Sequence, residues 1–516
     1  MDACSRPPAE PAATPFDTTH RYAPFLIAAL VLTLTGGATL GMFNLARLTT
    51  TLFGPLPRPS VWAHGYVQVF GFVGLFVMGV AYHVVPRFVA SPLKAPSLVV
   101  WTLGLQVTGV VAVALAFLAG PEATLLLWRA GTLLLLAAAV LFARSIAGTL
   151  RAAQPGAERF GPWLLAGVAW LVIASALALI AAVSGDIVWH RVLWPAALFG
   201  FAGSWIFGVG RRIFPVFLGW RTAAPALERP AFVIYQLGAV AWSAGAWPGG
   251  AASDASRIAG AVALLVAVPL YAHTVGLFSA RGAGGDHDRG YAPYVYAAWG
   301  WLAAGLALGP AWLAVTILAG GSESATMLDF AAHAVALGFV AQMMMGIATR
   351  ILPVFTGNQL WSPGARRATF WLLNAALGIR ALQALVAAGA DWPFVWPAIA
   401  LSGPLTVTAT ALFAANVVLT MAGRRSAPRA TATVAADVED RLVADVLLIP
   451  GALEVLVGAG FTPLLKPALR ATLARTVTLR QACRLRGIAL EPLAAELRAR
   501  EQPAARRPRI IPLRVS

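Results

Sequence analysis

Three histidines lie near one end of long apolar segments in this 516-residue chain. His64 and His333 each fall about one helical turn inside such a segment, and His190 begins a third one. An ionisable side chain inside a bilayer is costly, so each histidine is a candidate for function. Two imidazoles on facing helices can ligate one haem iron axially, and two or three can hold copper. The structural alternative is a hydrogen bond from each histidine to a neighbouring helix.

Two polar residues extend this candidate site. Helical spacing puts Gln68 on the same face as His64, one turn away. Arg380 lies in the same half of its own segment, where it can pair with a haem propionate or, equally, with a backbone carbonyl or an acid such as Asp391. We therefore predict a cofactor site formed by His64, His333, Arg380 and Gln68, and metal ligation by His64, His333 and His190.

The composition defines the surroundings of these residues. The chain is 59% hydrophobic and 11% charged, whereas soluble proteins carry roughly a quarter charged residues. A soluble globular enzyme, a disordered chain and a coiled coil are therefore excluded. The net charge of +17 is spread over loops and the C-terminal tail, so we expect contact with a lipid bilayer and no nucleic acid. The two cysteines exclude a disulfide framework and a four-cysteine cluster.

The apolar segments predict twelve membrane helices, each of about 20 residues or more. They lie near 24–45, 61–86, 97–119, 122–146, 162–183, 192–216, 230–248, 256–279, 293–319, 327–353, 366–389 and 394–421. Most loop Lys and Arg residues follow even-numbered spans, whereas the loops after odd-numbered spans hold only Arg47, Arg58, Arg191 and Arg257. By the positive-inside rule, both termini are expected to be cytoplasmic, in a multi-pass protein of the bacterial inner membrane.

Three spans share an ungapped pattern at offsets of 129 and 138 residues. They read FGFVGLFVMGVAYHVVPRF from Phe70, FGFAGSWIFGVGRRIFPVF from Phe199 and LGFVAQMMMGIATRILPVF from Leu337. Their shared glycines are typical of close helix packing in lipid, and the shared prolines indicate helix ends. The pattern predicts three units of four helices around a pseudo-threefold axis, with repeats at about 23–150, 151–285 and 286–421.

The expected fold class is therefore all-α: a twelve-helix membrane domain over 23–421 followed by a small soluble helical domain. We expect disorder at 1–22 and 501–516, and a polar linker at 422–436. Within 437–500, Leu447, Leu448, Leu453, Leu456 and Phe461 are predicted apolar anchors, and Thr478 is a predicted helix N-cap. A cytoplasmic protein partner is one interpretation of the basic residues of this domain, and a solvated face is the other.

Span two, with AHGYVQVFGF and GVAYHVVPRFVASPLKAPS, resembles the second helix of haem–copper oxidase subunit I. The match is closer to the NnrS family, membrane haem and copper proteins linked to nitric oxide and nitrogen-oxide metabolism. The resemblance covers roughly residues 20–425, and it implies His64 as an axial ligand of a b-type haem and His333 as a histidine of helix ten. The tail resembles a small domain of unknown function found beside hybrid-cluster and redox proteins.

Departures from the oxidase pattern limit what the resemblance implies. An oxidase would have two histidines on helix ten and a pair on helix seven, whereas span ten has only His333 and span seven has none. We therefore expect a haem-binding NnrS-type protein that functions in nitric oxide or nitrogen-oxide metabolism, in tolerance or in redox sensing. Copper is a second metal that its histidines could bind. The alternatives are a cofactor-free transporter or channel, and a divergent nitric oxide or oxygen reductase. Any enzyme activity implied would be that of an oxidoreductase of the haem–copper oxidase superfamily.

Overall fold

The computed structural model describes residues 21–50, 53–118, 121–152, 160–279, 288–423, 437–465, 474, 477–486 and 488–501. Helices dominate this part of the chain, and its only β pairing is an isolated bridge between Leu442 and Thr478. The predicted all-α class is confirmed. The predicted disorder at 1–22 and 501–516 and the predicted linker at 422–436 fall almost wholly outside the described residues.

Twelve long helices form the membrane domain. They are α1 Ala23–Thr49, α2 Arg58–Phe88, α3 Leu98–Leu118, α4 Pro121–Arg151, α5 Gly161–Ser184, α6 Trp189–Phe217, α7 Glu228–Gly245, α8 Ala251–Val275, α9 Ala292–Leu318, α10 Ala325–Thr356, α11 Pro363–Ala387 and α12 Val395–Met421. Eleven of them are long and apolar enough to cross a bilayer. The helix not among these is α7, which has only 18 residues and begins with Glu228 and Arg229.

The threefold repeat is visible in the backbone. Eight-residue π-helical segments occur at Val67–Gly74 in α2, Ala196–Gly203 in α6 and Ala334–Ala341 in α10, which are the same positions of the sequence repeat. A π-helical turn disturbs the regular hydrogen bonding of an α-helix and leaves carbonyl groups for other donors. The carbonyl of Phe70 accepts from Gln106 at 2.8 Å, and the equivalent carbonyl of Phe199 accepts from Tyr235 at 2.7 Å.

The shared glycines pack each central helix against the first helix of its own unit. A Cβ atom on Gly79 would lie 2.6 Å from Phe25 of α1, and one on Gly208 would lie 2.7 Å from Leu164 of α5. Gly346 approaches Tyr294 of α9 in the same way. The shared prolines lie in the last turn of each helix, as predicted. We call this end of the domain the proline end, and the opposite end, which carries His64, His190 and His333, the histidine end.

An apolar cavity lies between α2, α6 and α10. Its volume is about 80 Å³, and its lining repeats the same positions from each helix. Val80, Val209 and Ile347 form one such ring. Met343 and Met344 also line this space, which fits the packing role that methionine commonly has in apolar interiors. Since equivalent residues of the three units surround one cavity, the units are arranged about a common central axis.

The C-terminal residues form a separate small core. Its helices are α13 Val443–Val446, α14 Ala452–Gly458, α15 Leu479–Arg486 and α16 Leu490–Glu501. The predicted cap at Thr478 is confirmed, because its Oγ1 accepts from the backbone N–H of Gln481 at 3.2 Å and its own N–H donates to Gln481 Oε1 at 3.0 Å. Leu456 is fully buried, as predicted. The prediction that Leu448 is an apolar anchor is wrong, because its side chain is 81% exposed.

Candidate functional site

The three units meet in three interfaces that are built from the same positions of the repeat. Each interface pairs two positions of the repeat, one from each central helix: Tyr66 with Leu193, Pro195 with Ala331, and His333 with His64. In the first interface Tyr66 contacts α6. In the second, Pro195 and Ala331 line one cavity, and in the third His333 faces His64. We name these the α2–α6, α6–α10 and α10–α2 interfaces.

The α10–α2 interface brings His64 and His333 together. Their ring centroids are 6.4 Å apart, and their planes differ by 13°. Nδ1 of His64 lies 2.9 Å from the carbonyl oxygen of Gly37, and Nδ1 of His333 lies 2.8 Å from that of Asp329. Because a carbonyl can only accept, each Nδ1 carries the ring proton and each Nε2 has a free lone pair. Both histidines are thus in the tautomer that binds a metal through Nε2.

The backbone of α1 makes room for His64. The helix has a π-helical turn at Thr33–Gly37, and Gly37 departs from helical geometry with φ −97° and ψ −98°. A Cβ atom on Gly41 would lie 2.5 Å from His64 Cε1, and one on Gly37 would lie 2.8 Å from Gln68 Oε1. Gln68 itself accepts a hydrogen bond from Thr33 at 2.8 Å. The predicted partner Gln68 therefore lines the same glycine-bordered face as His64.

Asp329 holds the other side of the site. Its Oδ1 lies 3.4 Å from His333 Nδ1, and its Oδ2 accepts from Arg380 at 2.7 Å and from Gln383 at 2.9 Å. Asp329 was not among the predicted site residues; it lies in α10, one turn before His333. Gln383 was also missed. The spacing of Asp329 and His333, four residues on a helix, was the available signal for the first of them.

Arg380 is paired with Asp329 and not with Asp391, the acid named in the sequence analysis. Its Nε atom is buried and has no hydrogen-bond partner among the described residues, and the same holds for Oε1 of Gln383. Buried polar atoms without partners are uncommon, so these two atoms suggest a polar group that binds beside the histidine pair. A haem propionate is one such group, because guanidinium ions bind carboxylates strongly.

His190 lies in a different interface from His64. Its Nε2 is 3.0 Å from the hydroxyl of Tyr66, and its Nδ1 is 3.0 Å from the carbonyl of Ile187. The ring of Trp62 stacks on it at 4.6 Å. Both ring nitrogens of His190 are therefore engaged by protein groups in the α2–α6 interface. The structure groups His64 with His333, Gln68 and Arg380, and it places His190 apart from them.

The two imidazoles are near enough to share one metal ion. A metal–imidazole bond of about 2 Å on each side of an ion would put the two ring centroids roughly 6 Å apart. The centroids of His64 and His333 are 6.4 Å apart. Within the described residues, no group of three His, Cys, Asp or Glu side chains could hold a metal ion. A metal at this place would therefore be held by the two histidines without a third side chain of these types.

The fold and the site define a polytopic helical membrane protein of three four-helix units, with a histidine pair in one of its three unit interfaces. The family model described as NnrS protein matches residues 16–425, so the chain belongs to the NnrS family. Residues 440–493 match a domain of unknown function, DUF1858. The predicted resemblances to the NnrS family and to a small domain of unknown function are thereby confirmed. No curated protein matches the chain.

Proposed function

We propose that this chain binds a b-type haem in the α10–α2 interface, with Nε2 of His64 and of His333 as the axial ligands. The observation that supports this is the near-parallel pair of rings 6.4 Å apart, each held through Nδ1. The backbone carbonyls of Asp329 and Gly37 fix the two ring orientations. Arg380, whose Nε atom is buried without a partner, would bind a propionate.

The bound haem would supply one-electron redox chemistry, and a gas such as nitric oxide would bind to it by displacing one of the two histidines. The protein's contribution is to fix the two imidazoles through the carbonyls of Gly37 and Asp329. A second metal beside the haem, as in the haem–copper oxidases, would need further ligands, and the described residues assemble no group of three His, Cys, Asp or Glu side chains. We therefore propose nitric oxide binding, tolerance or redox sensing, in line with the nitrogen-oxide resemblance of the NnrS family.

The same reasoning extends to location. The loop Lys and Arg residues support placement in the bacterial inner membrane with both termini in the cytoplasm. The histidine end then lies towards the outer face of the membrane. The site would receive electrons or gas from that side, while the C-terminal domain would be available to a cytoplasmic partner.

Absorption spectroscopy of the purified full-length protein tests the proposal. We expect a Soret band, low-spin visible bands and one haem per chain, with acid–acetone extraction releasing the haem because it is not covalently attached. His333→Ala should lose the low-spin spectrum, whereas the matched control His190→Ala should keep it, because His190 lies in another interface. A protein purified from haem-replete cells without a Soret band, or a spectrum lost in both variants alike, would contradict the proposed ligation.

A further inference from the structure

The α6–α10 interface encloses a cavity at the position equivalent to the histidine pair. Ala331 and Val335 stand where the α10–α2 interface has His64 and Gln68. Gly309 and Gly305 of α9 face these two residues, as Gly41 and Gly37 of α1 do in the other interface. Because Ala331 is much smaller than a histidine, the space stays open, with a volume of about 240 Å³.

The walls of this cavity are apolar. They include Trp194, Leu198, Phe199, Trp242 and Leu313, while the described lining contains no His, Cys or Met. Trp242 is only 8% exposed and Leu313 only 2%, so most of this lining is removed from solvent. A lining of this character favours an apolar body.

The mouth of the cavity carries two guanidinium groups. Arg191 and Arg257 both pair with Glu323, the second at 2.7 Å between Nη1 and Oε2. The two guanidinium groups thus share one paired carboxylate, and Asp254 is a further acid whose charge acts on Arg257. Arg257 is also fixed by a hydrogen bond from Nε to the carbonyl of Gly245 at 2.8 Å, and its side chain is only 13% exposed. This cation is therefore preorganised at the rim of an apolar space.

We propose that the α6–α10 cavity binds an amphiphile with an apolar chain and a singly anionic head group. The chain lies along the apolar walls, and the head replaces solvent at the two guanidinium groups of the mouth. A carboxylate and a phosphodiester both meet this description, so the source is either a free fatty acid or an anionic phospholipid. A zwitterionic lipid does not, because its own cation would lie beside Arg191 and Arg257.

Lipid retention measured by native mass spectrometry tests this site. The full chain is reconstituted in phosphatidylcholine nanodiscs containing a minor fraction of either oleate or phosphatidylglycerol, then released into neutral detergent. We expect wild-type protein to retain one oleate or one phosphatidylglycerol in preference to phosphatidylcholine. Retention of oleate alone would identify a free carboxylate as the head group, and retention of phosphatidylglycerol alone would identify the phospholipid; either result supports the site.

Three variants locate the binding. Arg257→Gln should reduce retention roughly tenfold, as expected for loss of a charge-assisted hydrogen bond. Ala332→Trp should abolish it, because Ala332 lines the cavity at the repeat position that carries Trp194 in α6. The matched control Arg58→Gln removes an exposed cation of the same end of the domain and should change nothing. Ala332→Leu fills less space and serves if the tryptophan variant does not fold.

The proposal fails if phosphatidylcholine is retained as well as the two anionic probes. It also fails if folded cavity-filling variants, judged by an unchanged unfolding midpoint, retain the probes as the wild type does. Neither outcome depends on haem, because the cavity and the histidine pair lie in different interfaces. The Soret spectrum of Ala332→Trp should therefore match that of the wild type.

Discussion

The α10–α2 and α6–α10 interfaces share one backbone plan and differ in a few side chains. Both pair the central helices of neighbouring units, and in both the first helix of the second unit has a π-helical turn, at Thr33–Gly37 of α1 and at Ala307–Ala311 of α9. Both also have two glycines, four residues apart, that face the central helix. One interface holds His64 against His333, and the other leaves an open cavity between Ala331 and Pro195.

The difference shows which features belong to the repeat and which belong to function. The glycine pairs and π-helical turns occur in both interfaces, so they are parts of the frame and do not by themselves indicate a metal site. The two histidines and Asp329 occur at only one of the two interfaces. The third interface shows another outcome, because Trp194 packs against Gly65 there, and a Cβ atom on Gly65 would lie 3.0 Å from its ring.

The largest expected effect is that of His64→Ala, which gives the α10–α2 interface the residue found at position 331. Loss of a direct ligand should exceed the roughly 10- to 100-fold losses that follow removal of a ligand's hydrogen-bond partner. We expect the purified variant to lose the low-spin Soret spectrum and most of its haem. Ala331→Gly, a change at the equivalent position of the other interface, should leave both unaltered. An unchanged haem content in His64→Ala would refute the assigned ligand.

A somewhat smaller effect is expected from Gly41→Ala. The added Cβ would lie 2.5 Å from His64 Cε1, so the ring or the helix must shift, and overpacking of this kind costs about 1–3 kcal/mol. The unfolding midpoint should fall and the Soret maximum should move. Its counterpart Gly309→Ala would place a Cβ atom 2.9 Å from Ala331, which should cost stability without moving the spectrum. Equal spectral shifts in both variants would show that the two interfaces do not differ in the proposed way.

Much of this frame was predictable from the sequence. The repeat in α2, α6 and α10 specified three four-helix units, since its offsets of 129 and 138 residues each leave room for four helices. The membrane spans followed from apolar length alone. The helix of the seventh predicted span is the one not among the eleven candidate membrane spans. The π-helical segments carry no composition signal of their own, so they became visible only in the backbone.

The site was predictable in part. The four residues proposed for cofactor binding lie together, because His64 and Gln68 share one helical face and Arg380 reaches the same end. The facing of His64 and His333 depends on how neighbouring units are rotated about the central axis, which local periodicity does not encode. Asp329 was not predicted as a site residue, and His190 was grouped with His64 because the two have similar depth. Depth along a helix does not specify which interface a residue enters.

A moderate effect is expected from Asp329→Asn. The amide can still accept from Arg380, but the negative charge beside His333 is lost, and the neighbouring histidine becomes a poorer ligand. We expect haem affinity, measured by transfer to apomyoglobin, to fall about tenfold, as for other residues that orient metal-bound histidines. Glu323→Gln is the matched change in the α6–α10 interface and should leave haem transfer as it is. Equal losses in the two variants would point to a general loss of folding.

The smallest effect is expected from a substitution in the C-terminal domain. This substitution tests whether the spectral changes come from the histidine pair or from loss of the whole fold. Asp437 receives two hydrogen bonds from Arg498, both at 2.9 Å, and these hold the pKa of its carboxyl below the usual value. A lowered pKa in the folded state stabilises the fold above the unfolded value of about 3.9, and that stabilisation is lost as the pH falls through the folded value.

Acidification should therefore loosen the C-terminal core, and Asp437→Asn should loosen it slightly at neutral pH while reducing its response to acid. The contribution is small, because exposed ion pairs are screened by water. Hydrogen–deuterium exchange of α15, corrected for the intrinsic pH dependence of exchange, measures both effects in the full chain. Asp445→Asn, an exposed acid of the same domain, is the control and should keep the wild-type response. If Asp437→Asn changed the Soret spectrum of the membrane domain as much as His64→Ala does, the effects at the two interfaces would reflect global stability and not the histidine pair.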